Sequence, residues 1–448
     1  MTEPKTVLFC SQSASAIGGV ENWLDQLCSG LDSSRWRPIV ALVRGSKAHD
    51  PDRFRRSHPG LETVEVDGRG LPQDSRVRAV MRCVRRINPA IFIPLVVSDA
   101  HEAAARLRGE GSRSRYLLTL HGNTPPQLLE AREMISYADF AVAPGALTFR
   151  LLAALGMPAD RLQYVPNGAR ERIADPQARA EGAPLRLGYV GRLTNADKRI
   201  RDIVPLVHLL HTSGVSFHLS IAGDGPERAA LTEALAAYPV TFLGALSSDQ
   251  LYREVYPVLD ALLLFSESEA FGIALVEAMR HGVVPVSSAF VGCAAEKIVT
   301  DGSSGLLFPV GNALAAADCV ERLVSETGLL TRLSAEGRRR VQGRYSWTSC
   351  IHEWNSALHL CLDLPTRVVP PRMPQAGRAG GGRLDRMGAH PGVVDALRRT
   401  RLRLFGASKA MHGGEEWPWT QLRHEPSELD LMRRLRESMD RPGTGANG

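Results

Sequence analysis

The chain has 448 residues, too many for one ordinary domain and enough for two or three cores of roughly 150 residues each, without disulfide or metal staples. Its hydrophobic content of 44% and charged content of 23% are ordinary for a globular protein. The net charge of +6 is confined to the end: from Arg367 onward 15 Lys/Arg face 9 Asp/Glu, and the preceding residues balance, which argues against a body built to bind nucleic acid.

In chain order, Thr6–Cys10 reads as a strand and Val20–Leu31 as an amphipathic helix. The start carries no convincing signal peptide, since its apolar run is short and a Gly-rich turn follows. Arg37–Val43 and Thr63–Val66 are further strands, and Arg76–Arg86 is an arginine-rich helix. That basic run (Arg76, Arg78, Arg82, Arg85, Arg86) reads either as a solvated face or as a contact for anionic lipid. Ala90–Val97, Tyr116–Leu120 and Phe140–Val142 complete the strands of the first half. The pattern breaks around Asp175–Pro184 and then restarts. Strands at Arg186–Val190, Phe217–Ala222, Val240–Leu243, Ala261–Phe265, Val284–Ser287 and Gly305–Phe308 alternate with helices, among them Asp249–Tyr256 and Ile273–His281. Such alternation gives parallel sheets with crossover helices, and two α/β halves imply two doubly wound domains facing a cleft. After about residue 364 the composition turns rich in Pro, Gly and Arg; Pro365–Gly382 reads as a linker, with short basic helices at Val393–Phe405 and Glu428–Met439.

Seven cysteines (Cys10, Cys28, Cys83, Cys293, Cys319, Cys350, Cys361) are odd in number and lack C-x-x-C spacing, so reduced, buried thiols are expected. His208, His211 and His218 straddle a helix and a strand, a poor arrangement for zinc. No apolar stretch approaches the about 20 residues that span a bilayer. The expected location is the cytoplasm, with peripheral contact to the inner face of a membrane left open.

Five segments carry chemistry. Ile17-Gly18-Gly19-Val20-Glu21 opens a helix just after the first strand. Adjacent glycines let a ligand approach the backbone, and the free amides of a helix start attract an anion. It reads equally well as a tight turn, and its glycine spacing is not that of a dinucleotide fingerprint. Gly188-Tyr-Val-Gly-Arg192 through Lys198-Arg199 presents cations at a strand's carboxyl end, suited to a diphosphate, although isolated charges in a loop are usually just solvated. Ile221-Ala-Gly-Asp-Gly-Pro-Glu-Arg228 is mostly turn chemistry. Ser266-Glu-Ser-Glu269-Ala-Phe-Gly-Ile-Ala-Leu-Val-Glu277 leaves a strand and starts a helix near Phe271-Gly272. Its free amides suit phosphate and its second carboxylate suits two vicinal hydroxyls. His121, in Leu118-Thr-Leu-His121-Gly122-Asn123, stands at a strand's carboxyl end, where it could meet a sugar or a developing charge.

Together these segments, with Val165-Pro-Asn-Gly168, Val284-Pro-Val-Ser, Asp301-Gly-Ser-Ser-Gly and a final helix opened by Ser346-Trp347, resemble the retaining glycosyltransferases of the GT-B fold, family 4, over roughly residues 5–362. The glutamate pair Glu269 and Glu277 is the most specific part. The resemblance implies an N-terminal acceptor-side domain over 1–172, a donor domain over 173–345, a crossover helix over 346–363 returning to the first domain, and a tail over 364–448 without counterpart. It implies transfer of a sugar from a UDP- or GDP-sugar to an unidentified acceptor (glycan, lipid-linked or small molecule), with retained anomeric configuration and no metal or other cofactor; no D-x-D stands where a metal would be needed. Gly18 and Gly19 would contact the donor diphosphate, and Arg192 with Lys198 would hold it and stabilise the leaving group. Amides around Phe271, Gly272, Ile273, Ala274 and Leu275 would complete the site. Glu277 would bind the ribose, Glu269 would sit near the donor sugar, and His121 would line its pocket. The loop to Lys198 is one residue longer than the common pattern, so Lys198 or Arg199 could reach the phosphate. Arg170 stands where the family often has Asp. A nucleotide-sugar epimerase of the same fold, or a non-catalytic scaffold, are the alternatives that the intact charged residues disfavour.

Overall fold

The computed structural model describes residues 3–13, 18–46, 49–180, 182–372 and 425–441, together with positions 393, 394, 396, 397, 400, 401, 404 and 417. Ile17, Trp419 and six of the thirteen residues of the expected helix at Val393–Phe405 lie outside the described residues.

Among the described residues thirteen strands form two parallel sheets. The first contains β1 (Lys5–Ser11), β2 (Trp36–Arg44), β3 (Thr63–Asp67), β4 (Ile91–Pro94), β5 (Arg115–Thr119), β6 (Phe140–Ala143) and β7 (Leu162–Tyr164), in the order β3-β2-β1-β4-β5-β6-β7. The second contains β8 (Leu185–Val190), β9 (Phe217–Ala222), β10 (Val240–Gly244), β11 (Ala261–Leu264), β12 (Val284–Ser288) and β13 (Leu306–Phe308), in the order β10-β9-β8-β11-β12-β13. Helices α1 (Gly19–Gly30), α2 (Pro51–Ser57), α3 (Gln73–Ile87), α4 (Ser98–Gly109), α5 (Pro125–Met134) and α6 (Ala146–Ala154) belong to the first half. The second half carries α7 (Ile203–Thr212), α8 (Arg228–Ala234), the single turn α9 (Ser248–Gln250), α10 (Ile273–Arg280), α11 (Cys293–Glu296), α12 (Ala313–Ser325) and α13 (Leu329–Val341). α14 (Trp347–Asp363) and α15 (Pro426–Asp440) follow.

Alternation along each strand explains the double winding. In β1, Leu8 and Cys10 enter the core on one face of the sheet, while Val7 and Phe9 enter the core on the other. In β11, Ala261 and Leu263 divide from Leu262 and Leu264 in the same way. Strands buried on both faces read as continuous apolar runs, and helices must cover both sides. Two doubly wound domains of the GT-B class result. α14 packs Cys350, Trp354 and Leu358 into the first domain, with Trp354 edge-on to Trp23 at 5.5 Å between centroids. The chain crosses itself where Ala169 N donates to Tyr345 O at 2.8 Å and Trp347 N donates to Ala169 O at 3.0 Å.

The structure departs from the sequence reading in several places. The strand expected over Ala90–Val97 ends at Pro94, because Ser98 begins α4, whose buried residues include four alanines and only one large aliphatic residue, Leu107. The helix expected over Asp249–Tyr256 is α9 followed by a π turn over Leu251–Val255, ended by Pro257, which has no amide hydrogen to continue a ladder. In the arginine run of α3, Arg76 pairs with buried Asp99 at 2.7 Å and Arg78 pairs with Asp74, while Arg82, Arg85 and Arg86 are exposed, Arg85 pairing with Glu110. The Pro-rich run after α14 is pinned over its described part. Arg367 donates to Ile135 O and Ala138 O at 2.8 Å each, and Arg372 binds Glu102 at 2.8 Å and Glu133 at 3.0 Å. All seven cysteines are buried and free. Among the described residues no helix is long and apolar enough to cross a membrane.

Candidate functional site

In an open parallel sheet a crevice forms at the carboxyl ends of neighbouring strands whose connections run in opposite directions. In the first sheet that point lies between β1 and β4, and in the second between β8 and β11. The loop after β1 leads to α1, the loop after β8 carries Arg192 and Lys198, and the loop after β11 carries Glu269 and leads to α10. Topology alone therefore puts three of the five motif segments at these crevices.

The loop after β8 crosses the turn after β9. Gly191 N donates to Ala222 O and Leu193 N to Asp224 O. A Cβ on Gly223 would sit 1.8 Å from Gly191 O, so this turn is built for backbone crossing. Its Gly-Asp-Gly-Pro sequence thus shapes the Arg192 loop. Arg192 donates to Asp197 at 2.7 Å, and Thr194 donates to the other oxygen of that carboxylate at 2.6 Å. Burial raises the Asp197 pKa, but the Thr194 hydroxyl, Arg192 and Lys198 outweigh it and hold the group below the usual aspartate range. Lys198 Nζ lies 2.6 Å from Glu269 Oε1, with side chains only 18% and 13% exposed. Ser266 Oγ donates to the same oxygen at 2.5 Å. Arg199, in the left-handed region at φ 46°, turns away and binds Asp202 at 2.8 Å. Of the two adjacent cations, the structure brings Lys198 to the glutamate and not Arg199.

α10 starts at Gly272, whose φ is 91°. Leu275, Val276, Ala278 and Met279 anchor the helix in the core, while Ile273, Ala274 and Glu277 keep some exposure. The first amides of a helix have no partner within it, so this end offers donors to the cleft. Across the cleft, Gly19 begins α1, capped by Gly18 in extended conformation. A Cβ on Gly19 would lie 3.9 Å from the Ile273 side chain. Two helix N-termini, one from each domain, thus face each other with Arg192 nearby. Phe271 is buried edge-on to Tyr345.

Glu277 is held from below. Tyr256 donates its hydroxyl at 2.7 Å and Tyr252 at 3.4 Å, and His281 bonds the Glu277 carbonyl at 2.8 Å. Burial pushes the Glu277 carboxyl above the usual range, against the lowering effect of Tyr256, Arg170 and Tyr252. Arg170 lies over the Tyr252 ring at 4.8 Å and binds Asp249 at 2.7 Å, so the residue that departs from the family pattern buttresses this wall.

His121 packs edge-on against Trp23 at 4.5 Å. Burial lowers its pKa to about 4, so the ring is neutral near pH 7. It lines a cavity with Leu95, Thr119, Gln127 and Glu130, where His121 Nε2 and Thr119 Oγ1 have no hydrogen-bond partner among the described residues. Burial raises Glu130 to about 8, despite the hydroxyl that Ser98 donates to it.

Several members of the site are absent from the sequence reading. Glu21, 3% exposed, is pushed up by burial and drawn down by Arg192 from the facing domain. Asn123 Nδ2 donates to Glu269 O at 3.0 Å, while its Oδ1 accepts from Ser268. Both stand inside quoted motifs, but no spacing rule links Asn123 to a residue so far along the chain. Tyr252 and Tyr256 carried no signal, since the expected helix gave them no reason to face Glu277. His208 and His218 bond Tyr238 and Thr241, each at 3.0 Å, and are exposed.

Residues 184–326, which include Arg192, Lys198, Glu269 and Glu277, match the family described as "Glycosyl transferases group 1". Among curated proteins the chain is similar to the sulfoquinovosyl transferase SQD2 of Arabidopsis thaliana, with 29% identity over 42% of this chain and 37% of that protein. It is also similar to the 2-deoxystreptamine glucosyltransferase of Streptomyces kanamyceticus, with 36% identity over 30% of this chain and 34% of that protein. The chain thus spans little more than a third of the length of these relatives. Among solved structures, sucrose-phosphate synthase from Thermosynechococcus elongatus superposes with a TM-score of 0.66 at 18% identity, covering 79% of this chain and 98% of that one. HepE of Anabaena, in complex with UDP and glucose, superposes with a TM-score of 0.63 at 16% identity, covering 79% and 99%. Residues 184–326 thus match the glycosyl transferases group 1 family, and the chain carries that segment in a GT-B fold.

Proposed function

We propose that this protein transfers a sugar from a UDP- or GDP-sugar to an acceptor hydroxyl, with retention of anomeric configuration and without a metal ion. The observation that carries the reading is the meeting of two helix N-termini, at Gly19 and Ile273, beside Arg192 and the Lys198–Glu269 pair. A nucleoside diphosphate leaving group gathers negative charge as the glycosidic bond breaks. Preorganised amides and two cations stabilise such charge without reorganising at the moment of reaction.

In this reading the amides at Gly18 and Gly19 and those from Phe271 to Leu275 grip the diphosphate from opposite sides. Arg192 shifts from Asp197 to a phosphate oxygen, adding a bidentate contact. Lys198 neutralises the leaving group, and Arg199 keeps the loop in shape through Asp202. Glu277 accepts the two vicinal ribose hydroxyls. A carboxylate has about four lone-pair sites, so the two tyrosine hydroxyls fix its orientation and leave room for two more donors. Glu269, next to Lys198, binds hydroxyls of the donor sugar. The unpartnered Nε2 of neutral His121 accepts or donates one more sugar hydrogen bond. The relatives support a nucleotide-sugar donor: HepE was solved with UDP-glucose, and a Mycobacterium tuberculosis relative is GDP-mannose-dependent. The cytoplasm, where such donors are made, is the proposed compartment.

A panel of UDP- and GDP-sugars with glycan, lipid-linked and small-molecule acceptors, read by mass spectrometry with and without chelator, tests this directly. The expected result is nucleoside diphosphate release and an acceptor heavier by one sugar in both conditions, the new linkage keeping the donor's anomeric configuration by NMR. An altered nucleotide sugar formed without acceptor would instead mark an epimerase.

A further inference from the structure

The C-terminal helix α15 lies across both domains. On the first domain Met432 is buried, and Leu429, Leu435 and Met439 pack against the same core that holds Leu128 and Leu151. Arg132 of α5 pairs with Glu428 at 3.0 Å, and Arg150 of α6 donates to Met439 O at 2.9 Å. On the second domain the helix ends in Asp440, whose carboxylate accepts from Gly292 N at 2.9 Å and from Ala295 N at 3.1 Å. Arg436, 7% exposed, faces Glu267 electrostatically.

The segment that Asp440 grips is the support of the Glu269 loop. Val291 O accepts from Glu269 N at 3.2 Å, and Val291 N donates to Glu267 O at 2.9 Å. A Cβ on Gly292, at φ 110°, would lie 2.7 Å from Glu269 O. Asp440 therefore acts on Gly292, Gly292 and Val291 act on residues 267–269, and the Glu269 side chain stands on that loop against Lys198. Trp417 ties the tail to the first domain a second time: fully buried, it donates its indole nitrogen to Arg44 O at 3.0 Å, at the carboxyl end of β2.

We propose that α15 is a clasp between the two domains and that Asp440 is a positioning residue for Glu269. The clasp itself rests on geometry alone, while the consequence for transfer rests on the function proposed above. The helix carries its anchor on the first domain and its grip on the second, so it holds the 267–270 and 291–296 segments in register with α5 and α6. Opening the cleft requires Asp440 to release the two amides.

Hydrogen exchange and kinetics on the full chain test the two parts separately. In Asp440→Ala, amide exchange at 267–270 and 291–296 should rise about tenfold or more, because a charged acceptor of two buried amides is lost. Donor KM should change little, since Arg192 and the two helix starts are untouched, while kcat should fall about tenfold. Asp440→Asn, whose amide oxygen still accepts, should recover part of both. Unchanged exchange at 267–270 in Asp440→Ala would overturn the clasp. Raised exchange with unchanged kcat would overturn the positioning role. An inactive wild-type protein would count against the proposed function alone, because the exchange measurement still decides the clasp.

Discussion

Lys198 and Glu269 form a mostly buried pair at 2.6 Å, with Ser266 as a third member. Removing one partner of such a pair strands the other charge, at a cost of about 3 kcal/mol or more. Lys198→Met should therefore lower the unfolding free energy by about that amount in denaturant titrations. The double variant Lys198→Met/Glu269→Gln should recover most of the stability, because no charge is stranded, yet remain inactive in transfer. A double variant that stays as unstable as the single one would show that the pair is not the reason. Glu130 gives a pH test. Its carboxyl is raised by burial from the ordinary 4.5 to about 8, so the folded protein holds a proton there that the unfolded chain releases. Its contribution is complete below the unfolded value and is lost as pH rises towards the folded one. Thermal stability should thus decline between about pH 4.5 and pH 8 through this group. Glu130→Gln should flatten that decline and be the more stable form above pH 8. Parallel profiles for the two proteins would contradict this.

Elements explain why some of the site could be read early. The strand-turn-helix units around Arg192 and around Glu269–Glu277 are local in sequence, and their strands are apolar on both faces, so they stand out from residues alone. What joins them is the strand order, with β8 beside β11, and no local pattern reveals which strands are neighbours. The same holds for Tyr256 under Glu277 and for Asn123 on Glu269 O. α4 escaped notice because its alanines bury without making a large apolar stripe. One contact between elements is tight enough to predict: a Cβ on Gly145, at the start of α6, would lie 2.1 Å from Ala270 O on the facing domain. Backbone cannot yield as a flexible side chain can. Gly145→Val should keep each domain folded but hold the cleft ajar, raising donor KM about tenfold or more and enlarging the radius of gyration in solution scattering. Unchanged KM and radius would mean that the two elements do not meet in solution.

In the whole molecule, the described residues of the tail belong to the body. Its composition suggested a linker with short basic helices, yet Arg367, Arg372, Trp417 and α15 are all bound to the first domain. Composition reports what a segment could be when free, whereas these residues find partners brought together only by the folded sheet. Trp417 lies against Gly68, where a Cβ would sit 2.2 Å from the indole, and beside Arg76. Trp417→Ala should cost about 3–5 kcal/mol, as large aromatic truncations in cores do. A loss under about 1 kcal/mol would show that the tail is dispensable to the fold.

The proposed function requires the two domains to close a nucleoside diphosphate site around Gly19, Arg192, Ile273 and Glu277. Calorimetric titration of UDP and GDP into the wild-type protein, Arg192→Ala and Glu277→Gln tests it most directly. One of the two nucleotides should bind the wild type, and each substitution should weaken that binding about tenfold or more, equivalent to about 1.4 kcal/mol. Equal binding by all three proteins, or no binding of either nucleotide to the wild type, would contradict it.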